Sequence, residues 1–237
     1  MNLSPEKVRQ HAARLAEADP ETILRWACET FAPRIALTSS FSGPGVVLAH
    51  MISRLAPETP VLFLDTGFHF AETLAFKDAF VKRFGIRLVE LRPALSVEEQ
   101  ASRYGSDLYR RDPDLCCRLR KVEPMMQALE GLDAWITGLR RDQSETRAGI
   151  DVLEYHETPS GHPVVKVMPL AHWTRKEVWQ YIMDHNIPYH PLLDRGYKSI
   201  GCEPCTRPVS ADAGERDGRW SGTGKTECGL HTFTKRC

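Results

Sequence analysis

Seven cysteines occur in this 237-residue chain, and their spacing is what first suggests chemistry. Cys116 and Cys117 are adjacent, and far downstream Cys202-Glu-Pro-Cys205 forms a CxxC in a Gly/Pro-rich turn. Four thiolates grouped in this way could bind zinc or an iron–sulfur cluster. Adjacency favours the cluster: two neighbouring side chains must strain to converge on one ion, whereas a cluster offers separate irons to separate sulfurs. Cys116, Cys117, Cys202 and Cys205 therefore read as the metal ligands of one 4Fe-4S cluster per chain. The competing reading is a pair of small buried thiols beside a zinc-type or redox CxxC. A fifth cysteine, Cys228, lies in Lys225-Thr-Glu-Cys-Gly-Leu-His231, a stretch too glycine-rich for a core. It reads as a reactive thiol, activated by cations from Lys225, His231, Arg216 and Arg219 if the tail folds over a site. Cys28, inside an amphipathic pattern, reads as a core thiol, and the terminal Cys237 as an incidental exposed one.

These residues sit in an ordinary globular composition, with 42% hydrophobic and 26% charged residues, 31 basic against 31 acidic. With zero formal charge there is no global field for nucleic acid or an anionic membrane surface, so any anion site must be local. The N-terminal residues have no apolar signal-type core, and no segment approaches the roughly 20 apolar residues of a membrane span. A cytoplasmic protein is expected, and in that reducing compartment cysteines serve as ligands, nucleophiles or buried thiols rather than structural disulfides.

The elements that must position these residues follow from the apolar pattern. Up to about Glu29, Val8, Ala12, Leu15, Ile23 and Trp26 mark two short amphipathic helices broken at Asp19-Pro20. Strands are expected at 34–38, 61–64, 86–91, 134–137 and 164–168. Helices are expected at 46–55, 68–84, with Phe76, Phe80 and Phe84 on one spacing, and 115–129; another opens at the capping box Thr174-Arg-Lys-Glu177 and ends near Asn186. Alternation of this kind predicts an α/β fold with a mainly parallel sheet flanked by helices. From Pro188 on, loops and a flexible C-terminal tail are expected. In such sheets ligands bind beyond the carboxyl ends of the strands, where residues 39–45, 65–67 and Gly138 would emerge. Ser40, Ser42 and Gly43, ahead of a helix, suit an oxyanion or nucleotide, a weak signal alone because the loop lacks a Walker Gly-Lys-Ser/Thr.

Taken together, Ser40-Phe-Ser-Gly43, Leu64-Asp-Thr-Gly67, Cys116-Cys-Arg-Leu-Arg-Lys121, Gly138-Leu-Arg-Arg-Asp-Gln-Ser144, Gly201-Cys-Glu-Pro-Cys205, Glu215-Arg-Asp-Gly-Arg219 and Glu227-Cys-Gly-Leu-His231 resemble the assimilatory sulfonucleotide reductases, in their cluster-containing adenylyl-sulfate (APS) branch. The resemblance implies an ATP-pyrophosphatase-like nucleotide-binding fold in residues 1–208 and a mobile tail, 209–237, carrying the nucleophile. It implies thioredoxin-dependent reduction of APS to sulfite and AMP, with Cys228 attacking the APS sulfur to give a cysteine S-sulfonate. It also implies that Ser40, Ser42, Gly43, Leu64, Thr66 and Gly138 line the nucleotide site; Arg140 and Arg147 are weaker candidates there, the alternative for both being solvated surface charges. Cations Lys121, Arg216, Arg219 and His231 would offset the phosphosulfate and the thiolate. Lys121 would couple the cluster to the substrate, one helical turn from Cys117 if that segment is helical. The implied partners are thioredoxin or glutaredoxin and a small sulfonucleotide, with no nucleic acid or membrane and with a homo-oligomer left open. Trp220-Ser-Gly-Thr-Gly224 is less aromatic than tails of that family, implying a looser closure. The competing functions are reduction of 3′-phospho-APS (PAPS) or of both nucleotides, an iron–sulfur redox-sensing nucleotide-binding regulator, and an adenylating sulfur-transfer enzyme.

Overall fold

The computed structural model describes residues 3–225, 227 and 229–236; the expectations for Cys228 and Cys237 lie outside the described residues. The chain opens with helices Pro5–Leu15 (α1) and Pro20–Phe31 (α2), each with proline in its first turn and a side-chain N-cap, from Ser4 and Asp19. Helix α2 buries Ile23, Leu24, Ala27, Phe31 and Cys28. Burial pushes the Cys28 thiol pKa up, so it behaves as the apolar core thiol expected.

Strand and helix then alternate through Ile35–Thr38 (β1), Gly43–Leu55 (α3), Val61–Leu64 (β2), Ala71–Phe84 (α4) and Leu88–Leu91 (β3). In α4, Phe76, Phe80 and Phe84 stack in sequence, with ring centroids 5.9 and 4.6 Å apart, and Gly85 closes the helix in the left-handed conformation. Short helices Val97–Tyr104 (α5) and Leu108–Arg111 (α6) follow. The helix expected over 115–129 is instead three pieces: Pro113–Cys117 (α7), a π-helical turn Arg118–Val122, and Glu123–Leu129 (α8). The π turn changes the spacing, because its closing bond runs from the Glu123 amide to the Arg118 carbonyl, five residues apart. Lys121 is therefore not set over Cys117 by simple α-helical geometry.

Strand Ala134–Thr137 (β4) leads to Leu153–Glu157 (β5), Pro163–Val167 (β6), helix Arg175–Asp184 (α9) and the two-residue strand Lys235–Arg236 (β7). The capping box at Thr174 and Glu177 forms as expected. The sheet order is β3-β2-β1-β4-β6-β5-β7, parallel from β3 through β6, with β5 and β7 antiparallel additions. Strand β5 escapes the apolar pattern because its polar residues face inward. Glu154 and His156 share one face and are both buried, Glu154 opposite Lys166 of β6.

One face of the sheet carries the larger core under α1, α2, α3 and α9. On the other, Ala36, Leu62, Leu64, Met125, Leu129, Trp135 and Val164 form a smaller core, and Leu230 and Phe233 of the tail pack onto it. From β1 the chain runs outward to β2 and β3, then returns to place β4 on β1's other side. That reversal opens a crevice beyond the carboxyl ends of β1 and β4.

Candidate functional site

The floor of the crevice is built from three strand ends. After β1 the chain turns through Phe41, whose φ of 52° is left-handed; its fully buried ring is held by Phe63 and Phe80 at 6.0 and 5.6 Å. This turn brings the Ser40 and Ser42 hydroxyls 3.0 Å apart at the start of α3, and Ser42 does not spend its hydroxyl on capping the helix. A side chain at Gly45 would meet Ser39 Oγ at 2.6 Å, and one at Gly138, where β4 ends, would meet Pro44 Cβ at 2.9 Å. The two loops meet at Pro44 because position 138 is glycine, and the 39–45 turn folds back on Ser39 because position 45 is. From the end of β2, Leu64 and the buried Thr66 complete the floor beside Gly43.

The roof is the tail. It is stitched to the cysteine segment by a bridge between Thr206 and Arg219 and by the Trp220 amide donating to the Cys205 carbonyl at 3.0 Å. Trp220 is 4% exposed, with the guanidinium carbons of Arg219 and Arg216 and the Lys225 ammonium at 4.5, 5.6 and 5.9 Å from its ring. One buried indole with three cations around it packs the roof. Lys225 itself pairs with Asp114 of α7 and so faces the cysteine helix. His231 stacks on Trp135, centroids 5.4 Å apart and planes 14° from parallel, and its carbonyl accepts from Lys166 Nζ at 3.3 Å. Burial, then the cations Lys166, Arg147 and Arg216, hold the His231 pKa well below the usual imidazole range. That environment disfavours protonation of His231, against its expected place among the cations.

Ser40, Ser42, Gly43, Leu64, Thr66, Lys121, Gly138, Arg147, Arg216, Arg219 and His231 all line this one crevice. Arg140 and Arg147 are not solvated surface charges: they are 1% and 8% exposed. Arg140 bonds Asp142 and Glu215 at 2.9 and 2.8 Å, while Arg147 forks onto Glu227 at 3.0 and 2.8 Å. The sequence reading missed His69, Gln143 and Lys198, which also line the crevice; His69 had a signal in its place two residues after Asp65-Thr-Gly67. Among the described residues, the buried side-chain polar atoms without a partner are His69 Nδ1, Arg219 Nε, Trp220 Nε1 and His231 Nδ1. All four residues line the crevice, which marks it as a place for a polar ligand.

A second, smaller cavity adjoins it, lined by Cys116, Cys117, Cys202 and Cys205 together with Phe68, Arg120 and Lys121. Lys121 and Cys202 line both cavities. Burial, then the neighbouring cysteines, push the Cys116 thiol up to about 12, and burial followed by Cys202 raises Cys205. Burial opposes ionisation of Cys202 as well, but Lys121, the Thr66 hydroxyl at 3.3 Å and Arg219 hold it below the usual thiol range. Four thiols packed this closely ionise together only if a cationic centre offsets their charge, which is the chemistry of a metal-binding donor set. Among the described residues no group of His, Cys, Asp or Glu is gathered around a single ion-sized point. Adjacent cysteines on one helix diverge, so this donor set suits separate metal atoms better than one ion.

An open α/β sheet with a crevice at its switch point, a floor of small residues and a cationic roof beside a thiol cavity defines a nucleotide-binding protein of the ATP-pyrophosphatase-like fold. Residues 34–208 match the phosphoadenosine phosphosulfate reductase domain, and the chain belongs to that family. It is 46% identical over 214 residues to an adenosine 5′-phosphosulfate reductase of Salinibacter ruber, covering 90% of this chain and 84% of the relative. The crystal structure of a phosphoadenylyl-sulfate (PAPS) reductase from Candida auris, in complex with phosphate, superposes with a TM-score of 0.76 at 33% identity, covering 88% of this chain and 99% of that one. FMN adenylyltransferase of Candida glabrata, at 16% identity and TM-score 0.58, covers 96% of this chain and 79% of its own, and shares the fold. No helix among the described residues is long and apolar enough to cross a membrane.

Proposed function

We propose that this chain reduces APS to sulfite and AMP in assimilatory sulfate reduction, with thioredoxin, or glutaredoxin, as the electron donor. The observation that carries this reading is the junction of the two cavities: Lys121 and Cys202 join a four-cysteine pocket to a crevice with a nucleotide-type floor and a cationic roof. The 46% identity to a relative named for APS supports that nucleotide over PAPS. Ser40, Ser42, Gly43, Leu64, Thr66 and Gly138 hold the nucleotide, and Lys121, Arg216 and Arg219 face the phosphosulfate. Cys228, on the tail of residues 209–237, is the nucleophile. Its thiolate forms a bond to the APS sulfur as the sulfur–oxygen bond to phosphate breaks and AMP leaves with the electron pair, giving a cysteine S-sulfonate. A thioredoxin thiolate then attacks Cys228 Sγ and expels sulfite, and its second thiol resolves the mixed disulfide, so that thioredoxin is oxidised and Cys228 regenerated. The cations stabilise charge gathering on the phosphate oxygens, and His231 offers its unpartnered Nδ1 for a hydrogen bond.

Cys116, Cys117, Cys202 and Cys205 would hold a 4Fe-4S cluster, which when bound supplies a fixed electrostatic environment beside Lys121. The test is a steady-state comparison of APS and PAPS with thioredoxin, on anaerobically purified protein whose iron is measured. Faster turnover of APS and about four irons per chain are expected. A preference for PAPS would overturn the substrate, and stoichiometric zinc without iron would overturn the ligand assignment.

A further inference from the structure

We propose that Glu227 is a positioning residue for the thiol step: gripped by Arg147 and Arg216, it fixes the chain that carries Cys228 against the crevice. The proposal rests on the reading of Cys228 as nucleophile. The Glu227 carboxylate accepts from Arg147 Nε and Nη2 at 3.0 and 2.8 Å and from Arg216 Nη2 at 2.9 Å. The three side chains are only 16%, 10% and 18% exposed, in the order Glu227, Arg147, Arg216. A two-toothed guanidinium–carboxylate pair withdrawn from water fixes orientation as well as distance, unlike exposed ion pairs that contribute little.

The partners come from three different parts of the chain. Arg147 belongs to the turn after β4, in the body; Arg216 belongs to the first part of the tail; Glu227 lies beyond it. Arg147 is itself set by Gln143, whose Oε1 accepts from Arg147 Nη1 and whose amide nitrogen donates to the carbonyl of Gly138 at 3.5 Å. A chain of contacts thus runs from the crevice floor to the residue before Cys228. On the other side of Cys228, the His231 carbonyl is held by Lys166 and Leu230 packs on the smaller core. Cys228 is the next residue in sequence after the clamped Glu227.

Charge shows why the role is geometric. A carboxylate beside an incoming thiolate and a phosphosulfate repels both, so Glu227 works against the reaction electrostatically unless its charge is offset. Two guanidiniums on one carboxylate offset it and leave a net positive charge. Arg147, which reads from sequence as an anion contact, has Nε, Nη1 and Nη2 committed to Glu227 and Gln143, so the geometry reassigns it to the clamp.

The experiment mixes cluster-loaded enzyme with sulfur-labelled APS without thioredoxin and follows the S-sulfonate on Cys228 by rapid quench and intact mass, with AMP affinity measured in parallel. Glu227→Gln should slow adduct formation about 10- to 100-fold, the scale set by misplacing a reacting group by an ångström or so, while AMP affinity and iron content stay at parent levels. Glu227→Asp should recover part of the rate. Arg147→Lys, which keeps the charge and loses the fork, should be slow like Glu227→Gln. Parent-level rates in Glu227→Gln overturn the proposal; if that variant does not fold, parent-level rates in Arg147→Lys do so. If the parent enzyme itself forms no adduct on Cys228, the thiol mechanism fails, a result visible without any variant.

Discussion

The floor and the roof of the crevice are made of opposite materials. The floor presents Ser40, Ser42, Gly43, Thr66 and Gly138, uncharged groups fixed by strand ends and by glycines that let loops touch. The roof presents Arg216, Arg219, Trp220 and His231, held by side-chain pairs and stacking together with the Thr206–Arg219 bridge and the Trp220-to-Cys205 backbone bond. A floor set by backbone geometry recognises a ligand by shape and hydrogen bonding. A roof set by charge pairs can bring cations and a thiol to a reacting bond and exchange those pairs during turnover. The division predicts that floor changes act on binding and roof changes on chemistry.

The largest effect belongs to the roof. Cys228→Ser should abolish S-sulfonate formation while AMP binding and iron content persist; sulfite produced by that variant at the parent rate would end the thiol mechanism. Next is Lys121, on the wall shared by both cavities. Lys121→Ala should lower kcat/KM about 100- to 1,000-fold, the scale for removing one preorganised charge or donor, with AMP affinity little changed. An equal loss of AMP affinity would move Lys121 to the floor's side of the comparison. For the floor, Gly138→Ala forces a Cβ to within 2.9 Å of Pro44 Cβ. AMP affinity should weaken about tenfold, equivalent to about 1.4 kcal/mol, while the S-sulfonate rate at saturating APS is retained. Titration measured pre-steady-state on that variant would show a rate defect if floor and roof were one rigid unit.

The smallest effect is a pH response of the same sense in the two regions but in two separate windows, acidic for the body and alkaline for the tail. Burial lowers the body imidazoles His50 and His190 to about 4, with Arg54 adding to the shift at His50. Unfolded histidines take up protons below about 6.5 while these two resist until about 4, so the unfolded state binds more protons in that window and stability falls as pH falls through it. The loss is at most about 3 kcal/mol per group. Under the tail, burial lowers Lys166 to about 8. The exposed lysine holds its proton up to about 10.4, so between 8 and 10.4 the buried form sheds its charge first and tail docking tightens as pH rises. Hydrogen exchange of residues 229–236 should therefore be slower, after correction for intrinsic rates, at pH 9.5 than at pH 8, roughly the span between those two values. The body amides should not follow it. Tail protection that falls across that interval would contradict the assignment of Lys166 as a tether.

Much of this molecule was written locally in the chain. The parallel strands at 61–64 and 134–137 are apolar runs whose contents fix them as buried, and Thr174 and Glu177 specify a capping box from side chains three residues apart. The cysteine spacing, the small-residue turns and the tail motif named the residues that the fold gathers into two adjoining cavities. What stayed hidden depends on partners far away in sequence. Strand β5 escaped because its buried Glu154 and His156 are satisfied by each other and by the distant Arg236 and Thr234. The π turn ahead of α8 has no spacing signature in residues 118–122. Arg140 and Arg147 could have been surface charges until Glu215 and Glu227, 75 and 80 residues on, came to meet them. His231 had the composition of a cation and the burial of a neutral ring. Residue type and near spacing determine which groups can react and which segments can be helix or strand, because those energies are local. Which charges are cancelled, which rings lose their protons and which arginine grips the tail depend on desolvation and on contacts across the chain, and those exist only once the tail lies on the sheet.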